Sequence, residues 1–279
     1  MKILMIPSRM LPIPPVKGGA VQNLINFYIE WNEKGKNNDL IVTSIYNEDA
    51  KNLSSELKNT VIEYTGRHRF LIKLMYKDIP KISGLAHKII NADYKKIIKK
   101  VIRQNKEKLD LVVLDNSTGY FELVRKEFDG KIAIHIYNDH LNSSVKNIDY
   151  IMKNVDRVIT VSEYNSDIVR KLGYGEKVVT LHNGVDISRF GNEYTKGQRN
   201  GIREKLNIKD DEIAIIFVAR LVPEKGIMEL IKAFSKITEY TNLRLEVIGN
   251  KLYDGNVRDE FYEKLVSEAS KSLNKIDFR

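Results

Sequence analysis

One pattern constrains this chain more than any other. Short, apolar, β-branched runs alternate with longer segments of helical periodicity. The runs fall at 2–8 (KILMIPS), 39–46 (DLIVTSIY), 61–65 (VIEYT), 110–115 (DLVVLD), 131–138 (KIAIHIYN), 157–162 (RVITVS) and 177–181 (KVVTL). A helix over about 20–34 places Leu24, Phe27, Tyr28 and Trp31 on one face, the expected sheet-facing stripe, and Gly35 ends it. Residues 68–108 read as mostly helical, and further helices separate the later runs. Strands joined by helices of this length pair in parallel through right-handed crossovers. Residues 1–185 are therefore expected to form a doubly wound, Rossmann-like α/β domain.

The character changes after His182-Asn183-Gly184-Val185-Asp186. Residues 187–211 are polar and read as a connection. A second unit, 186–279, then offers a buried strand at 212–219 (EIAIIFVA), a helix over about 225–240, a strand at 243–249 (LRLEVIG), a helix over about 257–272 and the start of a strand at 275–279. Two complete βα units make a thin parallel sheet, which should expose apolar surface because such sheets are stable when both faces are covered. The expected fold class is thus α/β with two Rossmann-like parallel-sheet domains, the second incomplete.

Charge and cysteine content narrow the function. The formal charge is +9, and nearly all of the excess lies in residues 1–185, which suits an anionic partner as well as an ordinary basic surface. The chain has no cysteine, which excludes a disulfide framework, a thiolate metal site and a cysteine nucleophile. No apolar run is long enough to span a bilayer, and the N-terminal run is too short for a signal-peptide core. Residues 88–108 carry eight basic and two acidic side chains, with Ile90, Tyr94, Ile97, Ile98 and Val101 at helical spacing. Such a helix either packs its stripe on the sheet with lysines in water, or lies on an anionic membrane surface. A nucleic-acid partner is not expected, because no stacking surface or recognised module accompanies the charge.

Two segments carry chemistry. Lys17-Gly18-Gly19 lies between a strand and a helix, where paired glycines admit a ligand to a phosphate-favouring helix N-terminus. Without a third spaced glycine it does not indicate a nicotinamide site. Arg220-Leu221-Val222-Pro223-Glu224-Lys225-Gly226 follows a strand and opens a helix, the usual place for ligands in open α/β sheets. Arg220 supplies a planar fork for phosphate oxygens and Lys225 a compact charge, together suited to a departing diphosphate. The alternative is a pair of solvated loop charges.

The order GGA after the first strand, HNGVD at the switch between domains, ARLVPEKG after the first strand of the second unit and LEVIGN after the next resembles glycosyltransferase family 4, across essentially the whole chain. The resemblance is closest to members acting in spore-coat and cell-surface polysaccharide synthesis. It implies a GT-B enzyme whose two domains face a cleft, moving a hexosyl group from a nucleoside-diphosphate sugar to a glycan or lipid-linked acceptor with retention. It implies that Arg220 and Lys225 hold the donor diphosphate, that Gly18 and Gly19 lie near it, that Gly249 sits near the nucleoside and that Asn183 belongs to the hinge region.

The resemblance also implies a sugar-contacting histidine after the strand at 131–138. His140 is the preferred candidate. Tyr137, where related sequences read H-N-D or H-N-E, is a second, and His135 reads as a packed strand histidine. No metal or other cofactor is expected, since no Asp-x-Asp pair occurs. The enzyme would be cytoplasmic, or peripheral at the inner face of the membrane. The family's distal pair of glutamates eight apart has no counterpart here, which leaves a non-catalytic nucleotide- or glycan-binding or structural coat role as the alternative.

Overall fold

The computed structural model describes residues 1–75, 80–191, 193–250 and 259–279. The chain divides into two compact units, Met1–Gly184 and Val185–Arg279. Residues 76–79 and the expected helix start at 257–258 lie outside the described residues.

The first unit is built on a seven-stranded sheet of order β3-β2-β1-β4-β5-β6-β7. Its strands are β1 (Lys2–Pro7), β2 (Asp39–Ser44), β3 (Thr60–Tyr64), β4 (Leu111–Asp115), β5 (Lys131–Ile136), β6 (Arg157–Thr160) and β7 (Val178–Thr180). Every pairing is parallel. The order reverses between β1 and β4, where Pro7 pairs with Asp115, so the ligand-binding crevice of such a sheet falls at the carboxyl ends of these two strands.

The helices of this unit are α1 (Ala20–Gly35), α2 (Glu48–Ser54), α3 (Arg69–Met75), α4 (Pro80–Asn105), α5 (Phe121–Glu127), α6 (Ile148–Asn154) and α7 (Glu163–Arg170). Strand residues alternate between two apolar clusters. Leu4, Ile6, Val112, Leu114, Ile132 and Ile134 pack with α4, α5 and α6. Ile3, Met5, Leu40 and Val42 pack with α1.

The sheet-facing stripe of α1 differs from expectation. Gln22, Ile25, Ile29 and Asn32 are buried, while Trp31 is 73% exposed and Tyr28 40% exposed. The rotation of the helix is set by Asn32, whose amide donates to the Asn38 carbonyl at 2.8 Å and accepts from the Asn38 N–H at 3.0 Å. With Asn32 held toward the chain entering β2, the two isoleucines one turn apart meet the sheet and the aromatic stripe turns toward solvent.

Helix α4 shows where the apolar stripe of residues 88–108 packs. Ile90, Tyr94, Ile98, Val101 and Ile102 are almost wholly buried, and Tyr94 lays its hydroxyl 2.8 Å from both Thr43 Oγ1 and the Pro7 carbonyl. The apolar stripe belongs to the core.

The second unit holds α8 (Ile187–Phe190), α9 (Lys196–Lys205), α10 (Ile227–Ser235), α11 (Glu260–Ala269), and the strands β8 (Ile213–Val218), β9 (Leu243–Ile248) and β10 (Lys275–Phe278). Two expectations are corrected here. The polar stretch 187–211 is not a plain connection: α9 forms there, closed by a capping box between Thr195 and Gln198. The strand expected to be buried, β8, instead exposes Ile213, Ile215, Ile216 and Val218, because it is the edge strand of the order β10-β9-β8. Leu245 and Val247 of β9 pack under Ile227, Ile231 and Phe234 of α10 and Leu265 of α11.

On the other face of β9, Arg244 is fully buried. Its guanidinium lies 2.6 Å from Glu246 and 2.6 Å from Asp277, and donates to the carbonyls of Leu206 and Asn207. Two side chains and the end of α9 are thereby fastened to one cation.

Candidate functional site

In the second unit the site is a loop at the carboxyl end of β8. Val222 N–H returns to the Arg220 carbonyl at 3.0 Å, Lys225 N–H to Val222 at 3.0 Å and Gly226 N–H to Pro223 at 3.0 Å. Gly226, at φ 72°, then opens α10 with no side-chain cap, so the first N–H groups of that helix carry no side-chain partner at their N-cap. Leu221 and Val222 are buried and anchor the loop, while Arg220 and Lys225 stand exposed on it. Arg220 is weakly paired with Glu224 at 3.7 Å.

Gly249 ends β9 beside this loop. At φ 148°, a Cβ there would lie 1.9 Å from the carbonyl oxygen of Ala219. The backbone at Gly249 is thus pressed against the residue before Arg220. The structure brings Arg220, Lys225 and Gly249 to the same end of one sheet, next to a helix N-terminus, an arrangement suited to a phosphate-bearing ligand.

In the first unit, Gly18 and Gly19 adopt φ 73° and 103° on the way into α1. A Cβ on Gly19 would fall 2.3 Å from Gln22 Oε1 and 2.7 Å from Leu11 Cδ1. The positive φ favours glycine here, whereas the ends of the Gln22 and Leu11 side chains can give way, and α1 also starts without a side-chain cap.

The histidines lie in different surroundings. His140 lies on an exposed loop, its side chain 79% accessible, with its ring 3.7 Å from the carboxylate of Asp139. It is not brought together with the other candidates of this unit. His135 and Tyr137 instead converge on Asp115, at the carboxyl ends of β4 and β5, where register pairs Asp115 with His135. The Tyr137 hydroxyl donates to Asp115 Oδ1 at 3.1 Å, His135 Nδ1 is 3.3 Å from the same oxygen and 3.0 Å from the Tyr137 oxygen.

Asp115 is fully buried, and burial raises its carboxyl above the ordinary value more than the hydrogen bonds from His135 and Tyr137 pull it back. Burial, then the charge on Asp115, raises the Tyr137 hydroxyl as well. Two atoms of the cluster, Asp115 Oδ2 and His135 Nε2, are buried without a hydrogen-bond partner among the described residues. Sequence reasoning missed Asp115 altogether. The only signal was a carboxylate ending an otherwise apolar strand next to the topological switch.

Asn183 lies on the exposed, irregular segment before the boundary between the two units. Among the described residues, no group of three or more metal-ligating side chains converges.

Residues 198–278 match the family model described as glycosyl transferases group 1. The match covers β8, β9 and β10 and therefore the Arg220–Gly249 site. Spore coat protein SA of Bacillus subtilis is 24% identical over 276 residues, 95% of this chain and 65% of that protein. The lipopolysaccharide 1,2-N-acetylglucosaminetransferase of Salmonella typhimurium is 24% identical over 166 residues, 58% of this chain and 40% of that protein. This chain thus spans less than two thirds of the length of either relative. The solved structure of HepE from Anabaena in complex with UDP-glucose superposes on the whole chain with a TM-score of 0.67 at 15% identity, covering 68% of that protein. The fold is GT-B. Its two Rossmann-like units are the seven-stranded and the three-stranded parallel sheets described above.

Proposed function

We propose that this chain is part of a retaining hexosyltransferase that uses a nucleoside-diphosphate sugar as donor and a glycan or lipid-linked acceptor, in the synthesis of a cell-surface or spore-coat polysaccharide. The first unit serves the acceptor and the second the donor. The observation that carries this reading is the Arg220–Lys225 loop, held at a strand end against Gly249 and the N-terminus of α10, inside the segment that matches the glycosyltransferase family. HepE, a structural neighbour, was crystallised with UDP-glucose, which supports a nucleotide sugar as the ligand class.

In the proposed reaction the bond between the anomeric carbon and the diphosphate oxygen breaks, and the electron pair leaves with the diphosphate. Arg220 and Lys225 offset that growing negative charge, and no metal is needed for it. The acceptor hydroxyl forms the new glycosidic bond on the same face, and its proton passes to the departing diphosphate. No protein nucleophile takes part; positioning and charge do the work. Gly18 and Gly19 give a ligand close access to the N-terminus of α1. Of the two candidates for contacting a sugar hydroxyl, the geometry supports Tyr137 over the loop residue His140, because Tyr137 is oriented by Asp115 and His135. The linking segment with Asn183 serves as the hinge.

The test is a donor-hydrolysis and transfer assay with UDP-glucose and related donors. Arg220→Ala should lower turnover at least tenfold. Unchanged turnover in that variant overturns the role given to Arg220. Donor binding without any turnover favours a nucleotide- or glycan-binding coat protein instead.

A further inference from the structure

The carboxyl end of β1 carries a polar cluster that the proposed reaction does not use. Tyr94, seated on the Pro7 carbonyl, fixes the register of α4 against β1. His87 and Asn91 lie on the same stripe of α4, about two turns and one turn before Tyr94, and so face the chain just beyond Pro7. Arg9 stands there. Its Nε donates to Asn91 Oδ1 at 3.1 Å, and its Nη1 lies 3.1 Å from His87 Nδ1. A guanidinium only donates, so His87 Nδ1 accepts and the ring proton sits on Nε2. Tyr120, from the turn Thr118–Tyr120 that follows β4, donates its hydroxyl to the same Asn91 oxygen at 2.7 Å. Three segments thus meet where the strand order reverses, the usual place of ligands in such sheets.

The charge balance of the cluster identifies its ligand. Arg9 is half-buried and forms no ion pair among the described residues; its partners, an amide oxygen and a neutral imidazole, are uncharged. A cation drawn out of water without an opposite charge is costly, and an anion from outside removes that cost. Donors also outnumber acceptors. Asn91 Oδ1 is taken by both Arg9 and Tyr120, which turns the amide NH2 away from them, and that NH2 has no partner among the described residues. Nη2 of Arg9 has none either. A cation and an amide that together offer only donors complement an anionic oxygen acceptor. A dianionic phosphate gains more than a carboxylate from the cation and from its basic surroundings, since the first unit holds nearly all of the +9 charge.

We infer that Arg9, held in place by Asn91 and His87, binds a phosphate group carried by the acceptor, either on a lipid-linked diphosphate or on a glycan. Arg9 lies in the same β1–α1 connection as Gly18 and Gly19, and in a different compact unit from the Arg220–Lys225 loop. The residue therefore selects phosphorylated over neutral acceptors and takes no part in holding the donor. That the phosphate belongs to an acceptor rests on the transferase reading; phosphate binding at Arg9 does not.

Titration calorimetry of the full chain carrying Arg220→Ala, so that the donor loop does not take the phosphate, tests it. Geranyl diphosphate and glucose 6-phosphate are the probes, and they separate the two sources. At least one should bind, and adding Arg9→Gln should lower its affinity about tenfold or more. Asn91→Asp keeps the shape of the side chain and sets a carboxylate beside Arg9; it should lower affinity as much, and it decides the matter where Arg9→Gln weakens the fold. Arg157→Gln, an equal loss of charge at the exposed start of β6, should leave affinity unchanged. With Arg220 intact, Arg9→Gln should leave the affinity for UDP unchanged. Failure of both phosphates to bind, or equal affinity with and without either cluster substitution, overturns the assignment. Tighter binding of glucuronic acid than of both phosphates overturns it in favour of a carboxylate, and loss of UDP affinity in Arg9→Gln overturns it in favour of the donor. Arg9-dependent phosphate binding in a chain that binds no nucleotide supports the site and contradicts the transferase reading.

Discussion

At Asp115 a carboxyl group is removed from water and shares one oxygen between a phenol and an imidazole. Burial lifts its folded-state pKa above the ordinary 3.8. From about that pH upward, until the raised value is passed, the unfolded chain has released this proton and the folded chain still holds it. Folding stability from this group is therefore greatest at low pH and falls as pH rises through that window. Urea unfolding of the wild type and Asp115→Asn, compared across acidic to neutral pH, should show the variant losing less stability on the way up. Identical pH dependence would mean that Asp115 ionises as freely folded as unfolded.

Gly249 is the second position with a sharp expectation. The Ala219 carbonyl occupies the space of a Cβ, so Gly249→Ala should cost about 2 kcal/mol or more by denaturant unfolding. Arg220, Lys225 and both glycine sites were legible as residues, since strand-end loops and glycines before helices announce themselves locally. The Asp115–His135–Tyr137 cluster was not, because Asp115 lies some twenty residues from the other two and meets them only through the β4–β5 register.

Strands were the most legible elements, and helix faces the least. Period-two and continuous apolar runs located each of the ten strands among the described residues. The facing of α1 went to Ile25 and Ile29 rather than to the aromatic stripe, because a hydrogen-bonded asparagine pair fixes the helix rotation and no propensity scale contains such a pair. Helix α9 did carry a readable signal, the Thr195–Gln198 capping box, inside a stretch whose polarity argued for a loop.

The network on β9 makes a prediction at this scale. Arg244 ties β9 to β10 and to the end of α9. Arg244→Ala leaves the buried Glu246 with Arg279 alone as its partner, and should destabilise the second unit by about 3–5 kcal/mol. Arg244→Met/Glu246→Leu removes both charges and should recover part of that loss in the same unfolding experiment. A single variant as stable as wild type would show that water reaches this cluster freely.

For the whole molecule, two parallel sheets share one plan. The order β10-β9-β8 repeats the β3-β2-β1 half of the first sheet, and in both units the chemistry-bearing loops follow the first strand. The charge is divided unequally: the first unit carries nearly all of the +9, and the second carries Arg220 and Lys225 near neutrality. Among the described residues no helix is long and apolar enough to cross a membrane. The central claim is that the second unit binds a nucleoside diphosphate through Arg220. Titration calorimetry of the full chain with UDP, ADP and GDP, repeated with Arg220→Ala, tests it most directly. At least one nucleotide should bind, with affinity about ten- to a hundredfold lower in the variant. Failure of all three to bind, or equal affinity with and without the Arg220 side chain, would contradict it.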